Sequence, residues 1–166
     1  MIRPVLPADA PAIVAIYNYY ISHSTITFEE VEIEADEMER RIRDVSTKYP
    51  WFVFEEAGHI QGYAYATAWK SRSAYDRSVE CTVYLDPNAK GKGIGSRLYE
   101  RLIAELKERK FHALIGGVAL PNEASIRLHE KFGFEKVAQF REVGFKFGKW
   151  IDVGYWELLF KSDGAM

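Results

Sequence analysis

"SVECTVYLDPNAKGKGIGSRLYERLIAEL" occupies residues 78–106 and changes pattern twice within one run. Its opening, 78–86, is β-branched and aromatic and ends at Asp86-Pro87, which predicts a strand with a terminator. Its close repeats Ile94, Leu98, Leu102 and Leu106 at every fourth position, which predicts a helix over about 94–109. Between them lies "KGKGIGS", residues 90–96, with three glycines and two lysines. Glycine costs backbone order and neighbouring lysines repel, so a helix start is an expensive place for both unless an anion belongs there. Unpaired N–H groups and the positive end of the helix dipole converge at such a point and suit a phosphate or pyrophosphate. Gly91, Gly93 and Gly95 would let backbone approach the anion, and Lys90 and Lys92 add charge. "HALIGGVAL", 112–120, follows as a fully apolar strand of the kind buried on both faces, so 78–119 reads as a strand–helix–strand crossover.

Outward from this unit, "IRPVL" (2–6) reads as a first strand that Pro4 confines to an edge or bulge. Asp9 is placed to cap a helix whose Ile13, Ile16, Tyr17 and Tyr20 share a face. A charged helix over 34–47 carries Met38, Ile42 and Val45 as a narrow stripe. "WFVFEEAGHIQGYAYATAW" (51–69) reads as a hairpin turning at Ala57-Gly58. Asn122 caps a helix over 122–132 that Gly133 stops, and strands near 135–147 and 150–160 close the chain. The expected fold class is α/β, a mixed sheet flanked by helices.

With 166 residues, no internal repeat and no low-complexity linker, residues 1–166 form a single expected domain. A formal charge of −2 gives no global basic field for nucleic acid. The N-terminal "MIRPVLPADAPAIVAIY" is neither a secretory signal nor a membrane span. The single cysteine, Cys81, excludes an intramolecular disulfide framework and suits a reducing compartment, so a cytoplasmic protein is expected. His23, His59 and His112 lie in separate segments without ligand spacing, and no metal site is expected.

Two familiar anion folds fit poorly. A P-loop needs Lys-Ser/Thr after its last glycine, whereas Gly95 is followed by Ser96-Arg97. A dinucleotide fold needs Gly-x-Gly-x-x-Gly and an acid closing the next strand, whereas the glycines here run Gly-x-Gly-x-Gly and the strand ends "GGVALP".

"KGKGIG" resembles the Gln/Arg-x-x-Gly-x-Gly/Ala loop of the GNAT N-acetyltransferases, with Lys90 at the Gln/Arg position. "STITFEE", "KYPWFVFEEAG", "WKSRSAYDRSVECTVYL", "LPNEASIRLHEKFGF" and "VGFKFGKWIDVGYWEL" extend the resemblance over essentially the whole chain, to the phosphinothricin / methionine sulfoximine acetyltransferase subgroup. The resemblance implies a sheet splayed open beside the strand before the loop, with acetyl-CoA as co-substrate in the opening. It implies that Val83, Tyr84 and Leu85 pair with the pantetheine arm, that Gly91, Lys92, Gly93, Ile94, Gly95 and Ser96 hold the pyrophosphate, and that Asn122 contacts the cofactor. His129 stands where many relatives carry a tyrosine thought to protonate the leaving thiolate, and the subgroup itself has histidine there. A homodimer is implied as well, and the aromatic run 143–156 could supply its interface or simply a core.

Acetyl transfer to an amine needs a deprotonated nitrogen, a stabilised oxyanion and a proton for the thiolate. Strand alternation puts Glu80, Thr82 and Tyr84 on one face and Cys81 and Val83 on the other. Desolvation there suits Glu80 as general base; the alternative is a strand-end carboxylate paired with Arg77 or Arg72. His129 shares a helix face with Ile126 and Phe132, as an active-site group or as a core histidine. Its role as thiolate acid or as partner of Glu80 is open. Arg72 and Tyr75 lie in a loop that could overlie the site, and a guanidinium is the natural partner of an α-carboxylate. Phe28 is a candidate pocket wall or a core aromatic. Cys81 lacks an adjacent base and reads as a small buried hydrophobe. Three functions stand: acetylation of a small amino acid or analogue, acetylation of another amine (protein N-terminus, lysine, aminoglycoside), or a non-catalytic acyl-CoA sensor. The Arg72 loop favours a carboxylate substrate over a polycation.

Overall fold

The computed structural model describes residues 1–161. Strands β1 (Ile2–Pro4), β2 (Trp51–Glu56), β3 (His59–Ala68), β4 (Ser78–Leu85), β5 (Ala113–Ala119), β6 (Glu135–Lys146) and β7 (Lys149–Leu159) form one sheet. Their order is β1-β2-β3-β4-β5-β7-β6. Helices α1 (Ala10–His23), α2 (Ala35–Ser46), α3 (Ile94–Glu108) and α4 (Glu123–Lys131) flank it. Only the β4–β5 pair is parallel, as the crossover through α3 requires; every other pair is antiparallel.

The functional consequence lies in the register. β3 accompanies β4 from Val79 to Leu85, but β5 pairs with β4 only from Ser78 to Glu80. Beyond Glu80 the two parallel strands part, and the β5-side edge of Cys81 to Leu85 has no strand partner among the described residues. The sheet forks at Glu80.

Each face of the sheet has its own core. α3 buries Leu98, Leu102 and Leu106 against Val79, Cys81, Leu114 and Trp156. α1 and α2 bury Ile13, Ile16, Ile21, Met38 and Ile42 against Val53 and Tyr63. Leu98, Leu102 and Leu106 are fully buried, so truncating any one to alanine costs about 2–5 kcal/mol. Both hairpins turn through consecutive left-handed residues, Ala57-Gly58 (φ 50° and 77°) and Phe147-Gly148 (φ 53° and 72°).

Two local expectations are corrected. Asp9 precedes α1 but makes no side-chain cap; its carboxylate takes both Arg3 guanidinium nitrogens (2.8 and 2.9 Å) and the Leu6 N–H (2.7 Å). The bidentate Arg3 guanidinium and the Leu6 N–H together hold the carboxylate away from the α1 N–H groups. The first strand ends at Pro4 rather than continuing to residue 6, and it is an edge strand, as Pro4 requires. Asn122 caps α4 as expected, accepting the Ser125 N–H at 3.2 Å, and Gly133 (φ 85°) ends it. Among the described residues no helix is long and apolar enough to cross a membrane.

Candidate active site

Gly91 and Gly93 adopt φ of 79° and 71°, so the turn into α3 demands glycine whatever binds there. Gly95 is different: it lies inside α3 without that demand, and a Cβ placed on it would meet only Leu85 Cδ1, at 3.5 Å. Val83, Tyr84, Leu85, Gly91, Gly93, Ile94, Gly95, Ser96 and Asn122 line a single cleft of about 460 Å³ between the free edge of β4, the start of α3 and α4. Lys92 does not join them; it borders a separate depression with Asp86 and Asn88. Beyond these, the cleft includes Lys90, which the sequence already offered as a charge, and residues that sequence reading missed. Tyr20 and Ile26 close one side, and the Tyr20 hydroxyl donates to the Leu85 carbonyl at 2.6 Å. Lys90 Nζ stands 5.4 Å from the Tyr20 ring centre. Arg127 and Lys131, one turn apart on α4, add two cations, and Lys131 Nζ donates to Ser96 Oγ at 3.1 Å. That spacing was a readable signal. Helix N–H groups with three flanking cations suit a pyrophosphate, and the unpaired β4 edge suits an extended amide-bearing arm.

Glu80 occupies the fork itself. It is the last β4 residue paired with β5, opposite Ile115, and lies opposite Thr67 of β3. No hydrogen bond or salt bridge to a cation engages it among the described residues, and Arg77 instead donates to the Lys110 carbonyl at 3.1 Å. Burial without a compensating charge holds its carboxyl above the usual range.

His129 is 3 % exposed. Its Nδ1 lies 2.7 Å from the Ser125 carbonyl, which can only accept, so Nδ1 carries the proton. Nε2 therefore accepts from the Tyr99 hydroxyl, 2.7 Å away. Burial depresses the histidine's pKa, partly offset by the Ser125 bond, and keeps the ring neutral. The ring lies against Gly116, where an added Cβ would stand 2.1 Å from Nε2. Neighbouring Gly117 faces Glu80 instead, with an added Cβ 3.2 Å from Oε1. Glu80 and His129 thus lie on opposite faces of β5.

Of the proposed substrate residues, Phe28 is pinned over β6, where a Cβ on Gly144 would collide with its ring. Its segment is clamped from both sides. Tyr17 hydrogen-bonds Thr27 Oγ1 (2.8 Å) and the Glu29 carboxylate; Arg41 grips Glu29 at 2.7 and 2.8 Å; buried Lys146 donates to the Thr27 carbonyl at 2.8 Å. Arg72 and Tyr75 flank an exposed 3-10 turn over Ser73–Tyr75, and no hydrogen bond or salt bridge ties either to Glu80 among the described residues. Cys81 is buried on the α3 side, and burial raises its thiol pKa strongly, away from nucleophilic chemistry.

The acetyltransferase (GNAT) domain family matches residues 2–154. A phosphinothricin N-acetyltransferase of Streptomyces viridochromogenes is 38% identical over 156 residues, covering 94% of this chain and 85% of the relative. An L-methionine sulfoximine/L-methionine sulfone acetyltransferase of Salmonella typhimurium is 36% identical, covering 95% of this chain and 93% of that protein. The crystal structure of a GNAT superfamily phosphinothricin acetyltransferase from Sinorhizobium meliloti in complex with acetyl-CoA superposes with a TM-score of 0.93. It is 34% identical and matches 96% of this chain and 87% of that one. A forked mixed sheet, a glycine turn into α3 and a match over nearly the whole length agree: the chain belongs to the GNAT acetyltransferase family.

Proposed function

We propose that this protein transfers the acetyl group of acetyl-CoA directly to the amino group of a small amino acid or analogue, of the phosphinothricin, methionine sulfoximine or methionine sulfone type. The observation that carries the reading is the fork: a buried carboxylate without a cation partner among the described residues, Glu80, stands where β4 leaves β5, three residues before Val83, the first β4 residue to line the 460 Å³ cleft. The glycine turn and the N-terminus of α3 hold the pyrophosphate with Lys90, Arg127 and Lys131, and the β4 edge from Val83 to Leu85 aligns the pantetheine arm. Glu80 takes a proton from the substrate ammonium, freeing its nitrogen lone pair. The C–N bond then forms at the thioester carbonyl carbon, the C–S bond breaks, and the thiolate takes the proton that the new amide nitrogen sheds. His129, on the opposite face of β5 and hydrogen-bonded to Tyr99, is assigned to that transfer as a relay, its unprotonated Nε2 taking the proton and passing it on.

Arg72 anchors the substrate α-carboxylate, with Tyr75 and Phe28 bounding the pocket. The protein acts in the cytoplasm as a homodimer. The β6–β7 hairpin exposes Val143 and Phe145 on the edge strand β6, Phe147 in the turn and Trp150 on β7, each more than half accessible, an apolar face of the kind a second copy covers. Coenzyme A release, followed with a thiol reagent across amino acids, sulfoximines, aminoglycosides and peptides, tests the reading. Fastest turnover with free α-amino acids or sulfoximines is expected. Preference for peptides or aminoglycosides would replace the substrate class, and binding of acetyl-CoA without turnover of any amine would make the protein a sensor.

A further inference from the structure

Gly116 and Gly117 sit side by side on β5 with ordinary strand backbone, so neither is needed for a left-handed turn. Gly116 has a packing reason, the His129 ring. Gly117 has a milder one: it is exposed, and its missing side chain leaves a narrow gap in the middle of the sheet that a Cβ would crowd. Two groups border this gap. Glu80 Oε1 and Tyr155 Cε1 each lie 3.2 Å from the position a Gly117 Cβ would take. Tyr155 pairs directly across from Gly117 on β7, so the carboxylate and the aromatic ring flank one small open floor.

The ring is held in place. Trp69, just past β3, and Phe140 of β6 both pack edge-on against Tyr155, at centroid separations of 5.6 and 5.8 Å. Phe140 owes its position to a register break in β6 between Phe140 and Gly144. Asp152 braces that bulge, accepting the Glu142 N–H and the Gln139 amide, each at 2.9 Å. Bulges of this sort re-aim side chains beside functional sites. Burial and the nearby Glu80 charge raise the pKa of the Tyr155 phenol, which therefore stays neutral beside the carboxylate.

We propose that Tyr155 is a substrate-contacting residue: with Gly117 as floor and Glu80 as opposite wall, its ring holds the substrate as a primary ammonium until Glu80 takes the proton. An aromatic ring attracts a cation without competing for protons, and a glycine floor keeps open the approach to the ring and the carboxylate that a side chain at 117 would crowd. The proposal rests on the acetyl-transfer reading above and assigns its nitrogen-binding subsite.

The test is steady-state kinetics on Tyr155→Ala, Tyr155→Phe and Gly117→Ala, with acetyl-CoA affinity by calorimetry and Tm for each. Tyr155→Ala should raise the KM for the amine roughly 3- to 30-fold, the scale of a cation held at an aromatic ring, with acetyl-CoA affinity unchanged. Tyr155→Phe, keeping the ring, should restore most of that. Gly117→Ala, whose methyl meets its neighbours at 3.2 Å without demanding a new fold, should lower kcat/KM more for branched amines than for unbranched ones. A turning-over wild type with unchanged amine KM in both Tyr155→Ala and Gly117→Ala overturns the subsite alone. A wild type inert toward every amine overturns subsite and acetyl-transfer reading together.

Discussion

Arg72 and His129 show how much a single residue's surroundings decide. Arg72 sits in an exposed turn and has no ion pair among the described residues, which leaves its guanidinium for a ligand. Arg72→Ala should therefore raise KM for α-amino acids about ten- to a hundred-fold, the value of one charge-assisted bidentate contact. Amines without a carboxylate should be affected far less, and equal losses in both classes would remove the clamp. For His129, the folded-state pKa lies below the ordinary 6.5 because burial disfavours the cation. The unfolded chain then binds the extra proton first, so this group's contribution to stability is intact above that value and is lost as pH falls through it. Thermal denaturation between pH 7.5 and 5 should show a smaller acid loss in His129→Gln than in wild type; identical pH slopes would mean the ring is readily protonated in place. The sequence placed Glu80 and Cys81 on opposite strand faces correctly, because alternation is local. It could not place His129 relative to Glu80, because that depends on which side of β5 the helix α4 packs.

At the scale of elements, the glycine turn separates two demands that the sequence shows as one pattern. Gly91 and Gly93 answer to backbone conformation, so substituting them strains the chain even with nothing bound. Gly95 alone tests ligand approach, since a Cβ there meets no backbone. Gly95→Val should weaken acetyl-CoA binding at least several-fold with little change in Tm, and calorimetry showing wild-type affinity would move the pyrophosphate elsewhere. The elements themselves were legible wherever periodicity was strong: Leu98, Leu102 and Leu106 are all fully buried, as their spacing required. Asp9 misled because its rival partner, Arg3, lies on a strand outside the helix pattern. Tyr155 and Trp69 escaped notice as a pair because they meet only through the long-range register of β7, β5 and β4.

For the whole molecule, the mixed sheet and its parallel crossover followed from one strand–helix–strand unit, whereas the fork was expected only from the family resemblance: strand separation is a tertiary property that composition and periodicity do not encode. The same holds for the outer face of β6. Val143, Phe145 and Phe147 alternate at the end of β6 and in its turn, yet the hairpin is at the sheet edge and leaves Phe145, and Trp150 of β7, exposed. Phe145→Glu combined with Trp150→Glu should shift the sedimentation coefficient from dimer to monomer without unfolding the chain. A wild type that sediments as a monomer at micromolar concentration would refute the dimer.

The proposed acetyl transfer depends on Glu80 as the base at the fork, and the pH–rate profile of Glu80→Gln beside wild type tests that role most directly. The carboxyl pKa is raised, so wild-type kcat/KM should climb as pH rises through that value and the carboxylate forms. Glu80→Gln keeps the shape and removes the base. Its kcat/KM should fall about 10²- to 10⁴-fold near neutral pH, and the deficit should narrow at high pH, where solvent deprotonates the amine. Acetyl-CoA affinity should stay near wild type. A Glu80→Gln enzyme with the wild-type profile would contradict the account and leave the substrate amine to ionise in bulk water.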